Sequence, residues 1–208
     1  MAESGVGTMV SGLVALNEMN VGCPQVLSAQ NDSADCRKWF VMRSTYSREM
    51  KAKSILEADG IECYIPIKRE ITEAGEILKP AIHNLVFVFS ERSVMDNWKR
   101  RHEGDCPLRY AMDKSTGLPM IVRNKDMDDF IRATRYSDGS LLYLDNPEAA
   151  VKKGRCVEIV CGPLKGVRGA VLRVLRDRKV VVSLNGIAAV AISGIPFSCM
   201  RVIEEEKI

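Results

Sequence analysis

The side chains of this chain that could do chemistry are mainly cationic, and a group of them lies in one glycine-punctuated segment. Arg155, Lys165 and Arg168 fall within VKKGRCVEIVCGPLKGVRGAV, residues 151–171. Guanidinium and ammonium groups bind phosphates and carboxylates. This segment therefore predicts binding of a polyanion or of an acidic protein surface. Simple solvation at a loop tip is the other interpretation of these basic residues.

Catalysis and metal binding have little support in the sequence. The chain contains no G-x-S-x-G, no P-loop and no G-x-G-x-x-G, and His83 and His102 have no nucleophile at a telling spacing. The cysteines form no C-x-x-C pair; they are Cys23, Cys36, Cys63, Cys106, Cys156, Cys161 and Cys199. We therefore predict no enzyme, no cofactor and no metal site, with reduced and mostly buried thiols.

Charge divides the chain unevenly. Residues 1–36 hold four acidic residues and no Lys or Arg, whereas residues 151–208 hold eleven basic and five acidic residues. No segment approaches the ~20 apolar residues of a membrane span, and the basic n-region of a secretory signal is lacking. These features predict a cytoplasmic protein without membrane contact, in which residues 1–36 form a poorly ordered leader of no assigned function.

The elements of residues 37–135 predict an α+β sandwich, a mostly antiparallel sheet with helices packed on it. The predicted strands cover 38–43, 61–66 and 85–89, an exposed hairpin covers 68–79, and helices end at Gly60, cover 93–101 and follow Asn124. Hydroxyl residues at 44–47 and Asn124 are the expected N-caps of the first and last helices. The apolar run at 85–89 is typical of a central strand covered on both faces.

Residues 151–171 predict short strands broken by sharp turns. Pro163 has no N–H for a ladder, Gly166 allows a positive φ, and Gly169 suits a close approach of two backbones. An Asn-Gly turn at 185–186 predicts a further hairpin. The segment resembles the KOW motif of small SH3-like β-barrels in transcription and ribosomal proteins. The matching motif residues are Gly154, Gly162, Pro163, Lys165, Gly166 and Gly169.

The first domain carries a second resemblance. Trp39-Phe-Val-Met, a helix containing Glu49, Gly60-Ile-Glu-Cys-Tyr-Ile-Pro66 and Asn84-Leu-Val-Phe-Val88 together resemble the N-terminal domain of NusG. NusG proteins join that domain to a C-terminal KOW barrel through a short linker, and both halves occur here in that order. The resemblance implies an N-terminal domain at 37–135, a linker at 136–150 and a KOW barrel at 151–208.

Membership of the NusG family would imply a monomeric transcription elongation factor that docks on the clamp helices of RNA polymerase. The residues that match the family's docking positions are Ile82, Leu85, Phe87, Trp39 and Met42. Ordinary core packing is the alternative interpretation of all of them. A partly exposed apolar patch would be the physical signature of a docking site.

Departures from the housekeeping pattern resemble specialised paralogues of the RfaH and UpxY kind, with UpxY the closer likeness. The usual barrel ending is replaced by Leu184-Asn-Gly-Ile-Ala-Ala-Val-Ala-Ile192, and His83-Asn84 stands where Pro-Gly is common. Such paralogues are antiterminators of long operons, often for surface or capsular polysaccharides, and touch the non-template DNA strand. The DNA-contact candidates are Lys99, Arg100, Arg101, Arg43 and Arg48, with Trp98 as a stacking candidate.

Two alternatives remain open at this point. One is a general NusG-type factor that serves elongation or termination and contacts the ribosome through its barrel. The other is a KOW-containing ribosome-binding or RNA-binding protein, whose phosphate-binding candidates would be Arg155, Lys165, Arg168, Arg173, Arg176 and Arg178.

Overall fold

The computed structural model describes residues 37–73, 75–136, 141–144, 154–174, 177–184 and 186–203. The predicted leader at 1–36, most of the predicted linker, Arg176 and Asn185 lie outside these ranges. The helices are α1 (Glu49–Ala58), α2 (Arg92–Arg101) and α3 (Asn124–Arg135), with a 3₁₀ turn at Phe197–Cys199. The first strands are β1 (Lys38–Ser44), β2 (Glu62–Tyr64), β3 (Ile67–Thr72), β4 (Gly75–Pro80), β5 (Leu85–Ser90), β6 (Leu108–Tyr110) and β7 (Ile121–Val122). The later strands are β8 (Leu141–Tyr143), β9 (Arg155–Ile159), β10 (Arg168–Val174), β11 (Asp177–Leu184), β12 (Ala188–Ile192) and β13 (Met200–Val202).

The first sheet has the order β2-β5-β1-β6, and β7 also pairs with β1. All of these pairs are antiparallel, with Val41 opposite Phe87 in the central β1–β5 pair. The apolar strand predicted at 85–89 is β5, which lies between β2 and β1 and whose first four residues are buried, as expected of a central strand covered on both faces. The predicted hairpin is β3–β4, a separate two-stranded sheet that carries the ion pairs Arg69–Glu76 and Lys79–Glu70.

Alternation along β1 and β5 divides the core of this sheet into two layers, since successive side chains of a strand point to opposite faces. Phe40 and Met42 belong to the cluster that contains α1 and α2 residues, including Leu56 and Trp98. Trp39, Val41, Leu85 and Phe87 belong instead to the cluster that contains α3 residues. The α+β layering expected from the sequence is confirmed in these described residues.

A second antiparallel sheet follows, with the order β13-β9-β10-β11-β12-β8. It agrees with the small β domain expected from the sequence, whereas its closure into an SH3-like barrel stays a prediction. Part of the predicted linker is itself a strand, because β8 pairs with β12 and sets Leu142 opposite Ala191. The packing of the apolar side chains at 141–144 offsets the conformational entropy that is lost when this segment is ordered. The sequence pattern of one segment alone does not reveal such a pairing.

The turn chemistry of the KOW-like segment is as predicted. Gly162 and Gly166 have φ of 79° and 86°, the left-handed region that favours glycine. At Gly169, a Cβ would lie 2.7 Å from the carbonyl oxygen of Val181 on the neighbouring strand. The β10–β11 pair therefore needs a residue without a side chain at this position.

Three expectations are wrong. The N-caps of α1 and α3 are Arg48 and Arg123, and neither helix has a side-chain cap hydrogen bond. Asn124 is the first residue of α3, so its amide does not cap it. The expectation of reduced thiols fails for Cys161 and Cys199, which form a disulfide across 38 residues of sequence. Turns bring these two together, and their spacing of 38 residues gave no local motif.

Substitution of Gly169 by Ala tests the close approach. We expect Gly169→Ala to lower the free energy of unfolding by about 1–3 kcal/mol, because the added methyl group meets backbone rather than a flexible side chain. Chemical denaturation followed by circular dichroism measures the change. Gly104→Ala is the matched control, since a Cβ there meets no atom within 4 Å. Equal stability of the two variants would contradict the close approach.

Candidate functional site

The helix α3 presents its apolar residues to the first sheet. Met127, Phe130 and Ala133 are fully buried, and the ring centroids of Phe130 and Phe87 are 6.0 Å apart. Their spacing of three residues places them on one face of the helix. Phe87 is therefore covered by this helix rather than presented at the surface.

The same apolar cluster continues into the second sheet. Val157, Ile159, Val180 and Val190 are buried members of the cluster that holds Phe130. Because α3 packs against β11 and β12 as well as β1, the helix lies between the two sheets. The first domain and the KOW-like segment thus share one core across the described residues.

Polar contacts from α3 hold the KOW-like loop. The Arg132 Nη2 donates to the backbone oxygens of Pro163 and Lys165 at 3.1 and 2.8 Å. The Lys125 Nζ donates to the Gly166 carbonyl oxygen at 3.0 Å. Lys165 keeps an exposed side chain while its backbone is engaged.

A buried carboxylate completes this junction. The Asp129 residue is only 2% exposed, and its Oδ2 accepts from the Arg168 backbone N–H at 3.2 Å. Its Oδ1 accepts from Lys125 of the same helix. The ion pair and the hydrogen bond together offset the cost of burying a charge.

The predicted docking residues do not share one surface. Trp39, Leu85 and Phe87 are 5%, 3% and 0% exposed in the α3 layer, while Met42 is 0% exposed in the opposite layer. Ile82 alone is partly exposed, and it packs against the α3-layer cluster at its edge. The turn that carries Ile82 is fixed by a buried side chain, since the Glu49 carboxylate accepts the Asn84 backbone N–H.

The predicted nucleic-acid residues are largely accessible. Arg43, Arg48, Arg100 and Arg101 are exposed, whereas Lys99 is half-buried with its Nζ 4.3 Å from the Tyr110 ring centroid. The Arg48 Nη1 donates to the Asp105 backbone oxygen at 3.2 Å, just beyond the end of α2. Arg48 and the basic residues at the end of α2 therefore adjoin the same segment, residues 102–110.

Trp98 is not available for base stacking in this structure. Its side chain is fully buried in the layer of α1 and α2, and its ring lies 4.5 Å from that of His102. His102 in turn contacts the Asp59 carboxylate at 3.1 Å. Its position is therefore one of core packing.

Two features of the site escaped the sequence analysis. Lys125, Asp129 and Arg132 are spaced four and three residues apart, which places them on one face of α3. This spacing is visible in the sequence and could have indicated a polar contact. Tyr46 is an exposed aromatic residue in a polar loop beside Arg43 and Arg48. Its neighbours in sequence could have indicated a stacking position.

Three ionisable side chains of the two sheets have shifted pKa values. Burial raises the pKa of Tyr64, partly opposed by its hydrogen bond with Thr134, and burial raises the pKa of Tyr143 to about 12. The hydrogen bond from Arg201 lowers the pKa of Glu158. These tyrosines therefore stay neutral, and Glu158 stays ionised.

The described residues define the class of this protein by their fold and their exposed charges. Among them, no cluster of His, Cys, Asp and Glu could hold a metal ion, and no helix is long and apolar enough to span a membrane. What they offer is a helix-flanked antiparallel sheet with exposed arginines on its α1 and α2 side, joined through α3 to a second antiparallel sheet. An arrangement of this kind suits binding of macromolecules.

Residues 37–131 match the family model described as NusG, transcription termination factor nusG. The match covers β1 to β7 and most of α3, a little under half of the chain. A search of curated proteins found no match.

Removal of the Asp129 carboxylate tests the α3 junction. We expect Asp129→Ala to lower the free energy of unfolding by about 1–3 kcal/mol, since the Arg168 N–H loses its acceptor in a buried setting. Thermal and urea unfolding measure the loss. Asp128→Ala is the control on the exposed side of the same helix turn. A loss of equal size in both variants would mean that the junction adds nothing.

Proposed function

We propose that this protein is a non-catalytic, cytoplasmic transcription antitermination factor that docks on RNA polymerase through its first domain. The observation that carries the proposal is the family match over residues 37–131, on a chain whose next segment has the KOW pattern. Docking would occur at the clamp helices, with the factor acting as a monomer. The likeness to UpxY and RfaH is the basis for the finer choice of antitermination over a general elongation role.

The docking surface that we propose is centred on Ile82. It is partly exposed at the edge of the apolar cluster, where a partner could cover it without opening the core. Trp39, Leu85 and Phe87 would support this surface from below, since they are buried in the same cluster. Met42 lies in the opposite layer, so it would contribute to docking only indirectly, by stabilising β1.

Residues 184–192, which differ from the usual barrel ending, are buried, and this burial favours a specialised factor over a general one. Leu184, Ala188, Val190 and Ile192 are at most 2% exposed and belong to the cluster around α3. A hairpin that is committed to this core offers little apolar surface to a termination factor. Read-through of specific long operons, of the kind that encode surface or capsular polysaccharides, is therefore the activity that we propose.

Introduction of a charge into the docking surface tests polymerase binding. We expect Ile82→Asp to weaken retention of RNA polymerase from cell extract about 30-fold, the size of a hot-spot loss, because a carboxylate cannot be buried in an apolar contact. Quantitative pull-down with tagged protein measures it.

Val202→Asp is the matched control, because Val202 is an exposed apolar residue of the second sheet. Circular dichroism shows whether each variant stays folded. Polymerase that stays bound to a folded Ile82→Asp variant would contradict the docking surface, and retention of ribosomes instead of polymerase would favour the ribosome-binding alternative.

The proposed DNA side of the first domain carries a salt-dependent prediction. Arg100→Gln/Arg101→Gln should reduce the slope of log affinity against log salt by about 1.4 for single-stranded DNA, because two phosphate contacts are lost. Fluorescence anisotropy over a salt series measures the slope. Arg173→Gln/Arg178→Gln is the control, since these exposed arginines face each other across β10 and β11. A slope that falls only in this control would place nucleic-acid binding on the second sheet.

A further inference from the structure

The loop between β1 and α1 presents an aromatic ring to solvent. Tyr46 is 84% exposed, more than any other aromatic residue of the described ranges. Tyr46 and Ser47 have φ of 58° and 52°, the left-handed region that residues other than glycine seldom occupy. Two such residues in succession cost stability, and strain of this kind tends to be kept where a site needs a fixed geometry.

Both ends of this loop are tied to the fold. The Ser44 backbone N–H donates to the Asn84 carbonyl oxygen at 3.1 Å, and the Ala52 N–H donates to the Arg48 carbonyl oxygen at 2.8 Å. Glu49, 1% exposed, accepts the Asn84 N–H. The ring of Tyr46 is therefore carried on a loop anchored by the core rather than on a free segment.

Basic residues adjoin the loop that carries the ring. The Arg48 guanidinium lies 5.6 Å from the Tyr46 ring centroid. Arg43 stands directly opposite Arg109 in the β1–β6 pair, and both are exposed. Like charges directly opposite each other destabilise a sheet, so an anion beside them would relieve a cost that the fold otherwise carries. Asp105, whose backbone oxygen accepts from Arg48, is already paired through its carboxylate with Lys51, and that contact lowers the pKa of Asp105.

We infer that Tyr46 is a stacking platform for one unpaired base of single-stranded DNA, with Arg43, Arg109 and Arg48 beside it for the phosphates. An open aromatic face flanked by cations suits a strand of stacked bases and phosphates, whereas an acidic protein surface would use the cations and leave the ring uncovered. The inference rests on the proposed function, because it specifies how the DNA side of the first domain holds the strand. Tyr46 also takes the place of Trp98 as the stacking candidate, because Trp98 is buried.

Equilibrium binding of the full chain to a short single-stranded DNA with one 2-aminopurine tests this inference. Tyr46→Leu should weaken binding about tenfold at fixed salt and remove the stacking-dependent quench of 2-aminopurine. The salt slope should stay unchanged, since no charge is lost. Tyr46→Phe should bind within about twofold of the parent chain, because its ring still stacks.

Phe197→Leu is the matched control. Phe197, in the 3₁₀ turn before β13, is 60% exposed with the Arg178 guanidinium 5.1 Å from its ring centroid, so it has the same local chemistry outside the proposed site. Undiminished binding by Tyr46→Leu, an equal loss in Phe197→Leu, or no binding by the parent chain would each overturn the inference.

Polymerase retention, measured on the same variants, separates this inference from the proposed function. Tyr46→Leu should retain polymerase as the parent chain does. If polymerase is retained and DNA binding is unaffected, only the stacking inference fails. If the parent chain retains no polymerase, the proposed function fails whatever the DNA result. Loss of polymerase but not of DNA by Tyr46→Leu would assign the ring to a protein contact and overturn the inference.

Discussion

The burial of one helix between two sheets is the constraint on which the rest of this structure depends. Phe130 fills the space above Phe87, and the cluster continues from there into Val180 and Val190 of the second sheet. A helix covered on two sides must be apolar over a wide arc, and α3 meets this with Met127, Phe130 and Ala133. Neither sheet could expose this surface to water without a large loss of apolar burial.

The polar side of the same helix makes the arrangement specific. Apolar contacts alone would tolerate small rotations of the second sheet, because hydrophobic burial has little directionality. The hydrogen bonds of Asp129 and Arg132 with backbone groups at 163–168 would not tolerate such rotations, since each needs a donor and an acceptor at a fixed distance. The turn geometry set by Gly162 and Gly166 is what brings those backbone groups to the helix.

Much of the fold could be predicted from the sequence, because its signals are local. The apolar run of β5, the helical spacing in α3 and the glycines of the KOW-like turns each act within a few residues. What failed was non-local. The pairing of β8 with β12 and of Cys161 with Cys199 depends on which segments meet in space. The site was predicted only in part for the same reason: alternation shows that Met42 and Trp39 face opposite ways, but not which face a helix covers.

The two layers of the first sheet give it two separate surfaces. Side chains of one face reach toward α3 and the edge at Ile82, whereas the other face packs under α1 and α2, whose outer sides carry Arg48 and Arg100. A partner at the apolar edge and a polyanion at the basic side would therefore not compete for the same side chains. Glu49 connects the two, because it starts α1 and holds the Asn84 turn between Ile82 and β5. A change at this buried carboxylate would disturb both surfaces at once, while a change at Ile82 or Tyr46 would disturb only one.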